Sequence, residues 1–184
     1  MSIFDNIIIK EIPLDENMYY HAFLQKNLVS IYNEGIKSLY SQRKESNGGW
    51  NGKYYISVCK KYSGNKSAYN FLIHHGYNML IIDSKIHTIK TNEGISKIID
   101  TSRFMDSFIP IRMSEYNDEY QVFSKIRAEF IKGIRLNESC DIEKIKKLFL
   151  YMINNNIDLP CFDYFYESEG IIREVSKTKV LKLK

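Results

Sequence analysis

Residues 119–136 read EYQVFSKIRAEFIKGIRL and place two strand-like segments close together in the chain. The first segment, 119–123 (EYQVF), and the second, 130–136 (FIKGIRL), are rich in the β-branched and aromatic residues that favour strands. Only a short turn of helix fits between them. Parallel neighbours in a doubly wound sheet are joined by a crossover of roughly a dozen residues or more, so this spacing argues against that architecture.

Other segments extend the same pattern along the chain. The spacing of apolar residues predicts three main helices, over residues 25–34, 65–75 and 142–152, the last capped by Asp141. The predicted strands are residues 3–12, 18–23, 53–58, 78–83, 84–90, 119–123, 130–136 and 171–175. We therefore predict an α+β fold in which bent antiparallel or mixed β-sheets are flanked by helices.

Composition predicts one globular domain, residues 1–184. The chain is 44% hydrophobic and 14% aromatic with a net charge of +4, and its length is typical of a single domain. No apolar run approaches the roughly 18 residues of a membrane span, and the acidic N-terminus lacks the basic start of a signal peptide. We therefore expect a cytoplasmic protein, or one delivered to a host cytoplasm without a recognisable signal peptide.

Several chemistries are disfavoured because their motifs are missing from the sequence. The chain has no phosphate-binding P-loop, no Gly-rich dinucleotide loop after a strand, no serine-hydrolase elbow and no HExxH zinc motif. Cys59, Cys140 and Cys161 are widely spaced and odd in number, so we expect reduced thiols and no structural metal. Because the sequence has no long apolar run, we also expect no membrane partner. Usage rich in Ile, Lys and Asn is typical of a low-GC bacterium or its phage.

Polar residues occupy strand positions at which an apolar side chain would be easier to bury. They are His21 after Tyr19 and Tyr20, Ser57 after Tyr54 and Tyr55, and Glu119 with Gln121, while Tyr69 begins a helix between the last two strands. Each residue also has a purely structural interpretation, because a buried polar side chain needs only hydrogen-bond partners. Their order along the chain, however, matches a known layout.

That layout resembles the His-Tyr-Glu branch of the ADP-ribosyltransferases, which includes poly(ADP-ribose) polymerases and diphtheria toxin, in a divergent form. The segments that carry the resemblance are YYHAF (19–23), NLVSIYNEGIKS (27–38), KYYISVCKK (53–61), SAYNFL (67–72), NMLIID (78–83) and DEYQVFSKIRAEFIKGIRL (118–136). The resemblance covers residues 18–136 as an ADP-ribosyltransferase-like core. It leaves residues 137–184 as a C-terminal helix and strand extension, and it implies sheets of the ADP-ribosyltransferase type.

The resemblance implies that NAD is a substrate and that ADP-ribose is transferred to a macromolecule, with a protein favoured over a nucleic acid, as in a toxin or effector. Cleavage of the bond between nicotinamide and ribose forms an oxocarbenium-like centre, which a nearby carboxylate stabilises. The family pattern gives this catalytic role to Glu119. It gives His21 a hydrogen bond to a ribose hydroxyl.

The remaining candidate residues follow from the same resemblance. Tyr69 is the candidate for stacking on nicotinamide, with Tyr55 and Tyr62 as rivals, because aromatic rings favour offset stacking. Ser57 would support the glutamate or the ribose. Arg43, in a Gly-rich loop, would pair with the pyrophosphate in a bidentate manner.

Two departures from the family pattern leave alternatives open. Ala22 and Phe23 replace the Gly-Thr or Gly-Ser that often follows the histidine, and Gln121 stands where the strand often carries its second glutamate. If Gln121 rather than Glu119 holds the catalytic position, the chain is a degenerate member that acts as a binding or interaction module. Further alternatives are a 2′-phosphotransferase-like protein, disfavoured by the few arginine clusters, and a single-stranded nucleic-acid platform built on tyrosines and lysines.

Overall fold

The computed structural model describes residues 2–38, 55–90, 116–122 and 125–183 of the chain. Within these ranges the strands are β1 (Ile8–Pro13), β2 (Tyr19–Ala22), β3 (Ile56–Lys60), β4 (Met79–Ile82), β5 (Ile89–Lys90), β6 (Glu119–Val122), β7 (Ile131–Arg135), β8 (Cys161–Asp163) and β9 (Ile171–Val175). The helices are α1 (Leu28–Glu34), α2 (Ala68–His74), α3 (Ile142–Asn154) and α4 (Lys177–Val180). The predicted α+β class is confirmed.

The nine strands form one mixed sheet in the order β1-β9-β8-β7-β4-β2-β3-β6-β5. Neighbouring strands of this described sheet are antiparallel except β7 and β8, which are parallel and are connected through α3. A parallel pair needs such a crossover connection. Residues 119–136 supply β6 and β7, but β4, β2 and β3 lie between them in the sheet.

Apolar clusters cover both faces of the central strands. Successive residues of a strand point to opposite faces, so Tyr19 and Val58 belong to one cluster and Tyr20 and Cys59 to the other. All four residues of β4 are buried, and its sequence is accordingly apolar throughout instead of alternating.

The end of α1 requires a glycine. Gly35 has a φ of 82°, in the left-handed region, and its amide donates a hydrogen bond to the backbone oxygen of Ile31 at 2.8 Å. A Cβ at this position would lie 2.1 Å from the backbone oxygen of Ile126. Ile36 and Ile126 then form an isolated bridge, which holds the end of α1 against the segment that precedes β7.

The C-terminal extension belongs to the same sheet as the rest of the chain. It contributes β8 and β9, and α3 buries the residues Ile145, Leu148, Phe149 and Met152 of its apolar stripe. Helix α4 lies outside the predicted elements.

Two predicted strands are shorter in the structure by more than their end residues. Residues Asp5–Ile7 form a 3-10 turn before β1, where the carboxylate of Asp5 lies 2.7 Å from the guanidinium of Arg173. In the segment 84–90 only the last two residues pair. The carboxylate of Asp83 accepts a hydrogen bond from the amide of Lys85 at 3.0 Å and directs the chain into a turn.

Candidate active site

Three adjacent strands carry the residues that the family resemblance singles out. His21 lies on β2, Ser57 on β3 and Glu119 on β6, and β3 is the middle strand of the three. Across the β3–β6 ladder, Cys59 is paired with Glu119 and Ser57 with Gln121. Ser57 and Glu119 are therefore diagonal neighbours on one face of the sheet, which is within reach of a glutamate side chain.

The imidazole of His21 is held in one tautomer. Its Nδ1 lies 2.7 Å from the backbone oxygen of Ser57, and because a carbonyl oxygen only accepts, Nδ1 carries the hydrogen and donates it. Burial lowers the pKa of His21 below its usual 6.5, and the hydrogen bond to Ser57 opposes this effect only in part. The ring is therefore neutral at pH 7, and its Nε2 is a hydrogen-bond acceptor.

Ser57 connects His21 to Glu119 through two different atoms. Its backbone oxygen accepts from His21, and its hydroxyl Oγ donates a hydrogen bond to Oε1 of Glu119. Glu119 is half-buried, so the carboxylate is held by the protein and still faces open space. The three residues form a connected cluster, which we call the site cluster (His21, Ser57 and Glu119).

Two cavities meet at the site cluster. The glutamate cavity, lined by Glu119 and by residues of α2, has a volume of about 270 Å³. The α1 cavity, lined by Tyr55 and by residues of α1, has a volume of about 570 Å³. His21 and Ser57 line both cavities. Pockets that hold small ligands measure roughly 300–1,000 Å³, and the α1 cavity falls within this range.

Asp118 fixes helix α2 beside the glutamate cavity. This aspartate is 3% exposed, and its carboxylate accepts hydrogen bonds from the amides of Ala68 at 2.6 Å and Tyr69 at 3.0 Å. It also accepts a hydrogen bond from the hydroxyl of Ser67 at 2.8 Å, and the same Oγ of Ser67 caps the start of α2. Because Asp118 directly precedes Glu119, one strand end carries both the helix anchor and the candidate catalytic carboxylate.

The structure does not place Tyr69 in either cavity. Tyr69 is 1% exposed, its hydroxyl donates to Oε2 of Glu167 at 2.7 Å, and it accepts from Nε of Arg135 at 2.8 Å. Burial raises the pKa of the Tyr69 hydroxyl well above 10.0. The predicted stacking role is therefore not one that Tyr69 can perform in this arrangement, because its ring is enclosed by protein.

Phe71 and Tyr116 are the aromatic residues at the mouth of the glutamate cavity. Phe71 is 42% exposed, and the two ring centroids lie 5.9 Å apart with an interplanar angle of 49°. Phe71 also stacks on His75 with ring centroids 4.0 Å apart. A flat ligand ring entering this cavity would meet an aromatic surface. Neither residue was predicted from the sequence, although Phe71 lies only two positions after Tyr69.

The other candidate residues differ in whether they line one of the two cavities. Tyr55 is buried and lines the α1 cavity, whereas Gln121 is 1% exposed and is not among the residues that line either cavity. The exposed Tyr62 also lies outside both linings. Arg43 falls outside the described residues. Of the two candidate catalytic residues, Glu119 is the one that faces a cavity.

Sequence comparisons with known proteins assign no function to the chain, so its function is inferred from the geometry of this site. No protein-family model and no curated protein sequence matches the chain at a significant level. Within the described ranges, no group of three or more His, Cys, Asp and Glu side chains is arranged to hold a metal ion. Nor does any helix in the same part of the chain have the length and apolar character needed to cross a membrane.

Proposed function

We propose that this chain is an ADP-ribosyltransferase that cleaves NAD and transfers ADP-ribose to a macromolecule, on a sheet of the ADP-ribosyltransferase type. The observation that carries the proposal is the hydrogen-bonded connection of His21, Ser57 and Glu119, which lie on the linings of two cavities. The family pattern names these three residues, and Ser57 connects the other two from three neighbouring strands. Fold analogy alone would be a weaker argument than this convergence.

Glu119 supplies the negative charge that the reaction needs. When the bond between C1′ of the ribose and the nicotinamide nitrogen breaks, nicotinamide leaves as a neutral molecule with the bonding electron pair, and C1′ becomes positively charged. A carboxylate oriented in advance by Ser57 stabilises that charge without having to reorganise. The target nucleophile then forms a bond to C1′ and gives up its proton.

His21 suits ribose binding better than proton transfer. Its Nδ1 hydrogen is committed to the backbone oxygen of Ser57, so Nε2 is the atom that can accept a hydrogen bond from a ribose hydroxyl. Because burial lowers the pKa of His21, the ring adds no positive charge next to the developing oxocarbenium centre. Phe71 and Tyr116 supply the aromatic surface for the nicotinamide ring.

The test is nicotinamide release from NAD by the purified chain, measured for wild type and for Glu119→Gln. The glutamine keeps an acceptor oxygen for Ser57 but removes the negative charge, so we expect release to fall by about 100-fold or more. Glu11→Gln is the matched control, because Glu11 is an exposed acid that also lies on a strand. The control should release nicotinamide at the wild-type rate.

The outcomes separate the proposed enzyme from an interaction module. Equal release by Glu119→Gln and wild type would contradict the catalytic role of Glu119. Binding of NAD without any release, with candidate targets present, would show that the chain is the degenerate binding module instead. If NAD were neither bound nor cleaved, the proposed function would be wrong.

A further inference from the structure

A third cavity shares part of its lining with the α1 cavity. This lysine cavity, lined by Lys144 and Lys147 of α3, has a volume of about 280 Å³. It shares Phe23 and Tyr77 with the α1 cavity, which in turn shares part of the site cluster with the glutamate cavity. The three cavities are therefore linked through shared lining residues, and we call the surface that they form the groove.

The outer part of this groove is positively charged. Lys144 and Lys147 are exposed and lie about one turn apart on α3, and Lys26 is exposed on the lining of the α1 cavity. Among the salt bridges of the described residues, none involves these three lysines, whereas Lys37 of the α1 cavity is paired with Glu34. Three ammonium groups without a bridging carboxylate attract an anionic partner.

Aromatic and apolar side chains lie between the lysines. Tyr77 is 40% exposed and Leu24 is 54% exposed, and Phe23 is half-buried beside them. Surfaces that combine lysines with accessible rings bind single-stranded nucleic acid, because the bases stack on the rings while the phosphates contact the charges. An acidic peptide would satisfy the lysines but would leave the rings of Phe23 and Tyr77 without a stacking partner.

We propose that this groove docks single-stranded nucleic acid, with bases on Phe23 and Tyr77 and phosphates on Lys26, Lys144 and Lys147. This inference rests on the proposed function. It makes nucleic acid the acceptor of ADP-ribose at Glu119, in place of the protein target that the sequence favoured. A double strand fits less well, because its bases are already stacked on one another and cannot cover the rings.

The direct test is fluorescence anisotropy with the full chain and a labelled single strand of about 15 nucleotides. We expect the variant Lys144→Gln/Lys147→Gln to bind about tenfold more weakly and to lower the salt slope by about 1.4, since each phosphate contact on a single strand contributes about 0.7. Lys179→Gln/Lys182→Gln is the matched control. It removes the same charge from exposed positions with the same spacing that line none of the three cavities.

A second variant tests stacking rather than charge. Tyr77→Ala removes the exposed ring, while the two hydrogen bonds of Tyr77 to Leu72 and Asn137 use only its backbone. Loss of a stacked base contact is worth about 1–3 kcal/mol, so binding should weaken by about fivefold or more. The salt slope should stay at its wild-type value, because no charge changes.

Each remaining outcome overturns one specific claim. Nucleic-acid docking would be overturned if the control pair weakened binding equally, if a duplex of the same sequence bound with equal affinity, or if polyglutamate displaced the strand at equal charge. The last result would assign the groove to an acidic protein. If the strand bound but NAD were not cleaved, docking in the groove would stand and the proposed function would be rejected. If NAD were cleaved but no strand bound, the proposed function would stand and docking would be rejected.

Discussion

Two polar clusters lie on or near helix α2, and they differ in how far their polar groups are exposed. The arginine cluster (Arg135, Tyr69, Glu138 and Glu167) is built around a guanidinium that is 0% exposed. Arg135 donates to the hydroxyl of Tyr69 at 2.8 Å, to the backbone oxygen of Leu136 at 3.1 Å and to Oε1 of Glu138 at 3.2 Å. The site cluster, by contrast, is half-buried and faces two cavities.

The difference separates a structural cluster from a functional one. Burial alone would lower the pKa of Arg135, but its contacts with the hydroxyl of Tyr69 and with the carboxylates of Glu138 and Glu167 outweigh burial and raise it. The guanidinium is therefore paired within the protein and has no reason to meet a ligand. In the site cluster the hydrogen bonds orient His21 and Glu119, and both residues line a cavity. Perturbed polar groups alone would not have told the two clusters apart.

The largest expected effect comes from breaking the arginine cluster. Arg135→Met leaves Glu138 and Glu167 without their cation, and removing one partner of a buried ion pair destabilises a protein by about 3–5 kcal/mol. The measurement is the free energy of unfolding from urea titrations followed by circular dichroism. Because α2 is attached to the cluster through Tyr69, nicotinamide release should also fall.

Arg127→Met is the matched control for this variant. Arg127 forms a salt bridge with Glu129 at 2.9 Å, but both side chains are exposed, and exposed pairs contribute only about 0–1 kcal/mol. If the two variants lost similar amounts of stability, the burial of Arg135 would have no energetic consequence and the distinction between the clusters would be wrong.

A smaller effect distinguishes two aromatic residues on the same helix. Tyr69→Phe removes the hydroxyl that bonds Arg135 and Glu167, and leaving buried polar groups unsatisfied costs about 1–3 kcal/mol of stability. Phe71→Leu changes an exposed ring, so stability should change by less than about 0.5 kcal/mol. The KM for NAD should rise several-fold in Phe71→Leu and stay unchanged in Tyr69→Phe. Since Tyr69→Phe keeps its ring, only Phe71→Leu tests stacking, and an unchanged KM for NAD in Phe71→Leu would contradict the proposed aromatic surface.

The strands of the site were predictable because their signal is local. Alternation and β-branched residues indicated β2, β3 and β6, and the family pattern pointed to His21 and Glu119 on them. Which face of α2 meets the sheet was not predictable, since Tyr69 and Phe71 are both large and aromatic. Residues two apart on a helix lie on opposite sides, but which of the two sides is buried is decided by the sheet.

The partners of the buried charged residues could not be predicted from the sequence either. Arg135 stands in a strand-like segment, where a lone basic residue is typical of a solvent-exposed position. It is buried because Glu138 and Glu167 come from the C-terminal extension, which the family resemblance did not cover. Asp118 caps α2 across a long stretch of chain, so no local spacing marks it as a helix cap.

The smallest expected effect is the dependence of stability on the protonation of His21. Its pKa in the folded state is lower than the 6.5 expected in the unfolded chain, mainly because of burial. As the pH falls through 6.5 the unfolded chain binds the proton first, so the free energy of unfolding decreases until the pH reaches the folded pKa. His21→Asn removes this titration, and its side-chain amide still offers a donor to the backbone oxygen of Ser57.

Urea titrations at about pH 7.5 and about pH 5.5 therefore compare the two proteins on either side of the unfolded pKa. Wild type should lose more stability than His21→Asn between these conditions, because all other titrating groups are common to both. Equal losses would mean that His21 binds its proton equally well folded and unfolded, and would remove the neutral acceptor on which its role in ribose binding depends.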